Sequence, residues 1–215
     1  MNYADFRLQV DKLPYIPSRE AVRLSADPQV MKNQLARWEK KGLIVRLRKG
    51  MYLLNEQDRK VTPARTFLAN QMYEPSYVSL EYALGLYGLI PERVDTVTSI
   101  TTRKTAGFKN VWGTFVYQHV TPGAFGGFRM EQDAQGLTSF IAEPEKAVVD
   151  FLYFHGKECR AGGVVDLLLG SYRFQNTEIL GTGKLMGYAR LFVSPKLQRT
   201  AAELCAYLKK GPGHA

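Results

Sequence analysis

The chain has 215 residues, of which 45% are hydrophobic and 23% charged, and 29 Lys and Arg against 20 Asp and Glu give a formal net charge of +9. Such a length and composition describe an ordinary globular protein of one large or two small domains. No apolar run approaches the roughly eighteen residues a bilayer span requires, and Asp5 and Asp11 stand where a signal segment would be apolar, so a cytoplasmic protein with no membrane partner is expected. Cys159 and Cys205 have neither metal-ligand spacing nor the density of a disulfide scaffold, and both are read as reduced and buried.

A first helix is expected from Tyr3 to Lys12, with Phe6, Leu8 and Val10 as its apolar positions. Ser18 caps a short second helix carrying Ala21, Val22 and Leu24, and Ser25-Ala26-Asp27 makes a turn. The third helix is marked at both ends. Asp27 is a good N-cap, Pro28 suits the first helical position, and Gly42 stands where helices end in a left-handed residue. Between them Val30, Met31, Leu35 and Trp38 share one face, and Gln29, Lys32, Asn33, Ala36, Arg37 and Lys40 the other. Leu43 to Arg48 then alternates toward a strand, Lys49-Gly50 supplies a tight turn, and Met51 to Leu54 returns. Helix, turn, basic helix and basic hairpin in this order are those of a winged helix-turn-helix, which points to double-stranded DNA.

Charge supports the same reading. Residues 1–60 hold 13 Lys and Arg against 7 Asp and Glu, a net of +6 out of the +9, and Lys32 to Lys49 contains seven cations and one acid, Glu39. A field of that sign attracts the phosphate backbone. A solvated helix face and a charged edge hairpin would carry the same residues. Capping, charge and strand-turn-strand arriving in order favour DNA. The candidate contacts are Gln29, Lys32, Asn33, Arg37, Lys40 and Lys41 from the helix and Arg46, Arg48 and Lys49 from the hairpin. Gln29, Asn33 and Arg37 can bond base edges bidentately, whereas Lys32, Lys40 and the hairpin cations suit phosphates or the minor groove. Trp38 sits on the apolar face and belongs to the core.

A domain boundary is expected at Asn55–Thr62, dividing a DNA-binding domain of residues 1–60 from an α+β domain of residues 61–210. In the second part Pro63 to Met72 reads as a helix, Tyr77 to Ser79 as extended, and Leu80 to Leu89 as a helix. Val94 to Thr102 and Val111 to Thr121 read as paired strands joined by a loop from Arg103 to Asn110. Strands are expected at Phe128–Gln132 and Thr138–Ala142, followed by a helix opening at Glu143-Pro144-Glu145. The remainder is read as α with one more strand: helical at Val164–Leu169, ambiguous at Lys184–Phe192 and helical at Pro195–Lys210. The fold class is α+β, a winged helix-turn-helix followed by a larger mixed domain.

The run Gly42-Leu43-Ile44-Val45-Arg46-Leu47-Arg48-Lys49-Gly50-Met51-Tyr52-Leu53-Leu54, then Tyr77-Val78-Ser79-Leu80-Glu81-Tyr82-Ala83-Leu84, then Ile141-Ala142-Glu143-Pro144-Glu145-Lys146-Ala147 resembles the AbiEi family of antitoxin-type transcriptional regulators. The last two segments carry the resemblance more specifically than the first, and little after about Gly156 matches. The resemblance implies a repressor of its own promoter, encoded beside a nucleotidyltransferase-like toxin. It also implies that the larger domain counters that toxin, without need of a stable complex between the two.

Catalysis finds little in the sequence. His119, His155 and His214 lie far apart, with no i, i+4 pair and no cysteine cluster, so neither metal nor cofactor is expected. Gly181-Thr182-Gly183-Lys184 lacks the upstream glycine and the following Ser or Thr of a phosphate loop, and is read as a turn. Glu143 and Glu145 are read as carboxylates at a helix N-terminus, and Ser99, Ser139 and Ser171 lack a nucleophile-elbow context. Arg103, Lys104 and Lys109 form a possible secondary basic surface at a hairpin tip remote from the N-terminal unit, either a solvated turn or a contact for flanking DNA, RNA or an acidic partner. The expected protein is a non-enzymatic repressor and antitoxin. Two alternatives stay open: a stand-alone regulator whose second domain dimerises or senses a ligand, and an enzyme acting on nucleic acid.

Overall fold

In a computed structural model that describes residues 1–156 and 163–210, the chain begins with α1 (Tyr3–Val10), opened by Asn2, whose Oδ1 accepts from the Asp5 N–H at 2.9 Å. Phe6 and Val10, four residues apart, are buried. Leu8 lies about 200° round the helix from Phe6 and is 67% exposed, so it is no core position. A short strand unanticipated in the sequence, β1 (Ile16–Pro17), leads into α2 (Ser18–Arg23). Ser18 is the first residue of α2 and not its cap: Pro17 holds the cap position without a side-chain hydrogen bond.

Helix α3 (Pro28–Lys40) is capped by Asp27, whose carboxylate accepts from the N–H groups of Gln29 at 2.7 Å and Val30 at 3.2 Å. It ends at Gly42, whose φ of 70° is left-handed, while the Leu43 N–H closes back onto the Trp38 carbonyl at 2.9 Å. Strands β2 (Ile44–Arg48) and β3 (Met51–Leu54) form the expected hairpin, and β1 pairs antiparallel with β3 on its far side, giving a three-stranded sheet. Gly50 turns the hairpin at φ 82°, and its carbonyl accepts from the Ser18 N–H at 2.9 Å, which fastens α2 to the turn.

The second sheet has six strands in the order β6-β7-β5-β4-β9-β8, made of β4 (Ser76–Val78), β5 (Val97–Thr101), β6 (Ala106–Asn110), β7 (Gly113–His119), β8 (Phe128–Gln132) and β9 (Thr138–Ala142). The two strands expected to flank a loop, β5 and β7, do pair, but in parallel, with Val97 opposite Phe115. The stretch between them is not wholly loop. Ala106 to Asn110 forms β6, an edge strand antiparallel to β7. Its sequence, Ala-Gly-Phe-Lys-Asn, has no β-branched residue, so pairing with β7 and not local propensity makes it a strand.

Around this sheet lie α4 (Arg65–Met72), α5 (Leu80–Leu86), α6 (Pro144–His155), α7 (Thr182–Arg190) and α8 (Pro195–Lys210). The ambiguous stretch at Lys184–Phe192 is therefore mostly helix. Gly181-Thr182-Gly183-Lys184, read as a turn, is the start of α7. Val164–Leu169 enters a π-helical turn at Asp166–Ser171, and no further strand follows Ala142 among the described residues. No helix among the described residues is long and apolar enough to cross a membrane.

Two apolar clusters organise the packing. The smaller joins Phe6, Val10, Ile16, Ala21, Met31, Leu35, Trp38, Ile44 and Leu54. The larger fills the six-stranded sheet and its helices, and also takes in Leu47, Met51 and Leu53 of the hairpin. Successive strand residues face opposite ways, so Leu53 and Leu54 serve different cores. The segment after the hairpin is tied to both sides: the Asp58 carboxylate accepts from Tyr3 Oη at 2.7 Å and Arg7 at 2.9 Å, while the Arg59 guanidinium lies 5.1 Å from the centre of the Trp112 ring.

Candidate nucleic-acid interface

Burial sorts α3 into two faces. Met31, Leu35 and Trp38 are buried, with Trp38 held edge-on to Tyr3 at 5.5 Å and tilted against Phe6 at 4.7 Å. Val30, expected among them, is 44% exposed and sits on the rim. Gln29, Lys32, Asn33, Ala36, Arg37, Lys40 and Lys41 are all exposed. Gln29 Nε2 donates to Asn33 Oδ1 at 3.1 Å, so the two amides capable of reading base edges stand side by side one turn apart.

The hairpin brings its cations beside this helix. Arg46 and Lys49 are exposed, and Arg48 is half-buried, its guanidinium donating to the Lys49 carbonyl at 3.3 Å. Among the described residues none of the seven cations of α3 and the hairpin, Lys32, Arg37, Lys40, Lys41, Arg46, Arg48 and Lys49, forms an ion pair. Other basic side chains do: Arg7 with Asp58, Lys60 with Asp11, Arg129 with Glu131, Lys184 with Glu143. The charges of the α3 and hairpin surface are thus not neutralised by ion pairs among the described residues, and Glu39 is the one acid beside them.

The three residues of the expected secondary basic surface separate. Arg103 is drawn down onto Tyr73, its guanidinium 4.4 Å from the ring centre and donating to the Glu74 carbonyl at 3.2 Å. Lys104 is exposed beside it, its carbonyl accepting from Tyr73 Oη at 3.0 Å. Lys109 is on β6 and is not remote from the N-terminal unit: together with Arg46, Arg48 and Lys49 it lines a groove of about 660 Å³. Sequence reasoning missed this convergence because β6 reaches the hairpin through the larger sheet.

The second group that sequence reasoning missed is inside. The Tyr77–Leu84 and Ile141–Ala147 segments meet at a fully buried ion pair between Lys146 and Asp150 on α6. Tyr77 Oη and Ser79 Oγ donate to the same carboxylate at 3.0 and 2.7 Å, and the ammonium of Lys146 lies 4.6 Å from the centre of the Phe192 ring. Burial pushes the Asp150 carboxyl above the usual carboxylate range, opposed by the charge and hydrogen bond of Lys146 and by the two hydroxyls. The i, i+4 spacing of Lys146 and Asp150 was a readable signal for the pair, though not for its burial. One turn on, His155 Nε2 lies 2.8 Å from Glu81, and its ring stacks on Phe151. Glu143 and Glu145 face the start of α7: Glu143 accepts from Lys184 at 2.7 Å and Tyr188 at 3.0 Å, and Glu145 accepts from the Gly181 N–H at 3.0 Å. The bond from Lys184 holds the Glu143 carboxyl below its ordinary value.

No group of three metal-ligating side chains occurs among the described residues. His119 Nδ1 sits 2.9 Å from the Arg103 carbonyl, and Cys205 is buried as a free thiol; Cys159 and His214 lie outside the described residues. Compared with protein-family models the chain matches none, and no characterised protein matches it in a sequence search.

Proposed function

We propose that residues 1–60 are a winged helix-turn-helix that binds double-stranded DNA, with α3 as the reading helix and the β2–β3 hairpin as the wing. The observation that carries this reading is the seven-cation surface of α3 and the hairpin, left without acid partners among the described residues and backed by a core that fixes α3 through Trp38. In the major groove Gln29, Asn33 and Arg37 bond base edges, Lys32, Lys40 and Lys41 take phosphates, and Arg46, Arg48 and Lys49 track the adjacent backbone or minor groove. The resemblance of three segments to AbiEi-type regulators supports the wider role: a cytoplasmic, non-enzymatic repressor of its own promoter that counters a nucleotidyltransferase-like toxin through the larger unit.

Titrating labelled duplex from upstream of the gene, at several salt concentrations, tests the reading. Arg37→Ala should cost about 1–3 kcal/mol on the specific duplex only, and Lys49→Ala should weaken all duplexes alike and flatten the salt dependence. Binding to upstream DNA no tighter than to random duplex refutes it. Growth rescue of cells expressing the adjacent toxin from an independent promoter tests the antitoxin role.

A pocket of about 280 Å³ lined by Phe125, Phe128 and Phe140 supports a second reading, in which the larger unit senses a small apolar ligand and no toxin is involved. DNA binding without rescue favours it.

A further inference from the structure

The hairpin does not stand free. The Leu47 side chain is buried in the larger core, and the Leu47 carbonyl accepts from Asn110 Nδ2 at 3.0 Å, while Asn110 Oδ1 accepts from the Trp112 N–H at 2.7 Å. Asn110 therefore clamps the end of β6 to β2. Lys109, the residue before it, is exposed, as are Gly107 on the same strand and Arg46 and Lys49 across the groove. The 660 Å³ groove between the two elements carries four cations, Arg46, Arg48, Lys49 and Lys109, against one acid, Glu39. None of the four is ion-paired among the described residues.

We propose that β6 of the larger unit is part of the nucleic-acid interface, with Lys109 and the hairpin cations together holding a phosphodiester backbone in the groove beside the site read by α3. The inference rests on the DNA-binding reading and extends it: the larger unit touches DNA directly, so the contacted site runs past the bases α3 can reach. The chemistry is that of an extended polyanion. A row of cations, supplied from two elements fixed to each other by side-chain and apolar contacts, is arranged before binding and loses little conformational freedom on contact. Each phosphate it neutralises releases a counterion, so the groove adds to affinity for every sequence without adding specificity.

The test uses the full chain, with upstream and random duplexes titrated between 50 and 200 mM salt. Lys109→Ala should weaken both duplexes equally, by roughly three- to tenfold at the lowest salt, and lower the slope of log affinity against log salt by about one. Hydroxyl-radical protection should recede at one end of the footprint. Lys209→Ala, which removes a cation of α8 outside the groove, should leave slope and footprint unchanged. If Lys109→Ala matches the parent protein in affinity, slope and footprint while Arg37→Ala loses specificity, the groove proposal is overturned and the DNA-binding reading stands. If the parent protein binds all duplexes alike but Lys109→Ala still lowers the slope, the groove stands and sequence-specific repression falls. Absence of any DNA binding overturns both.

Discussion

Replacing Lys146 with Met should be among the most damaging single changes in this chain, and damaging in a pH-dependent way. Lys146 and Asp150 are each without solvent exposure and bonded to one another. Methionine fills much of the lysine's volume among Tyr77 and Phe192, so the main loss is the charge. Asp150 then remains as a buried carboxylate facing only the hydroxyls of Tyr77 and Ser79. Breaking a buried pair in this manner costs about 3–5 kcal/mol, a large part of the roughly 5–15 kcal/mol that holds a domain together. The sign of the pH effect follows from the carboxyl. Burial already raises it, and removing Lys146 takes away the strongest opposing influence, so its folded value rises further above its unfolded value. Its contribution is then fully present below the ordinary carboxylate value of about 4 and is lost as pH rises through the folded value, by up to about 1.4 kcal/mol per unit. Urea unfolding at pH 4.5 and pH 7.5 measures this: the deficit of the variant should be clearly smaller at the lower pH. Adding Asp150→Asn, which keeps an acceptor for both hydroxyls but no charge, should recover more than about 1 kcal/mol at pH 7.5. Equal deficits at both pH values, together with simple additivity of the two substitutions, would refute the account.

Trp38→Ala should cost about 3–5 kcal/mol by opening a cavity against Tyr3 and Phe6; an unchanged melting temperature with lost DNA binding would move Trp38 from core to interface. Leu53→Ala should cost about 2–5 kcal/mol, because Leu53 belongs to the larger core, and a fragment beginning near Lys60 should melt well below the full chain for the same reason. An unchanged melting temperature of that fragment would show that the hairpin's apolar face supports nothing beyond it. Asp58→Asn should lose about 1–2 kcal/mol at neutral pH. Hydrogen bonds from Tyr3 and Arg7 hold the Asp58 carboxyl below its ordinary value, so its contribution is present above pH about 4 and lost as pH falls through the folded value; chemical denaturation from pH 3 to 7 should show the gap between the two proteins closing in acid.

Local grammar was legible wherever a few neighbouring residues decide the outcome. Asp27, Pro28 and Gly42 set the limits of α3, Lys49-Gly50 sets the hairpin turn, and the 3.6-residue period separates the buried face of Met31, Leu35 and Trp38 from the exposed one of Lys32, Asn33 and Arg37. The period also erred at its edges, with Leu8 and Val30 apolar but exposed, because one residue of misphasing moves a side chain by 100°. What tertiary structure decided was every relation between residues far apart in the chain. The sequence Ala-Gly-Phe-Lys-Asn became β6 only because β7 offers a partner, and β5 and β7 run parallel because β6 occupies part of their connection. Lys109 joins Arg46, Arg48 and Lys49 in one groove because Leu47 packs into the larger core and Asn110 holds its carbonyl. The i, i+4 spacing of Lys146 and Asp150 allows an ion pair on one helix face but carries no sign of its burial. The pair is buried because Tyr77 and Ser79 from one segment and Phe192 from another close over it and supply the hydrogen bonds and ring face that make burial of the charges tolerable.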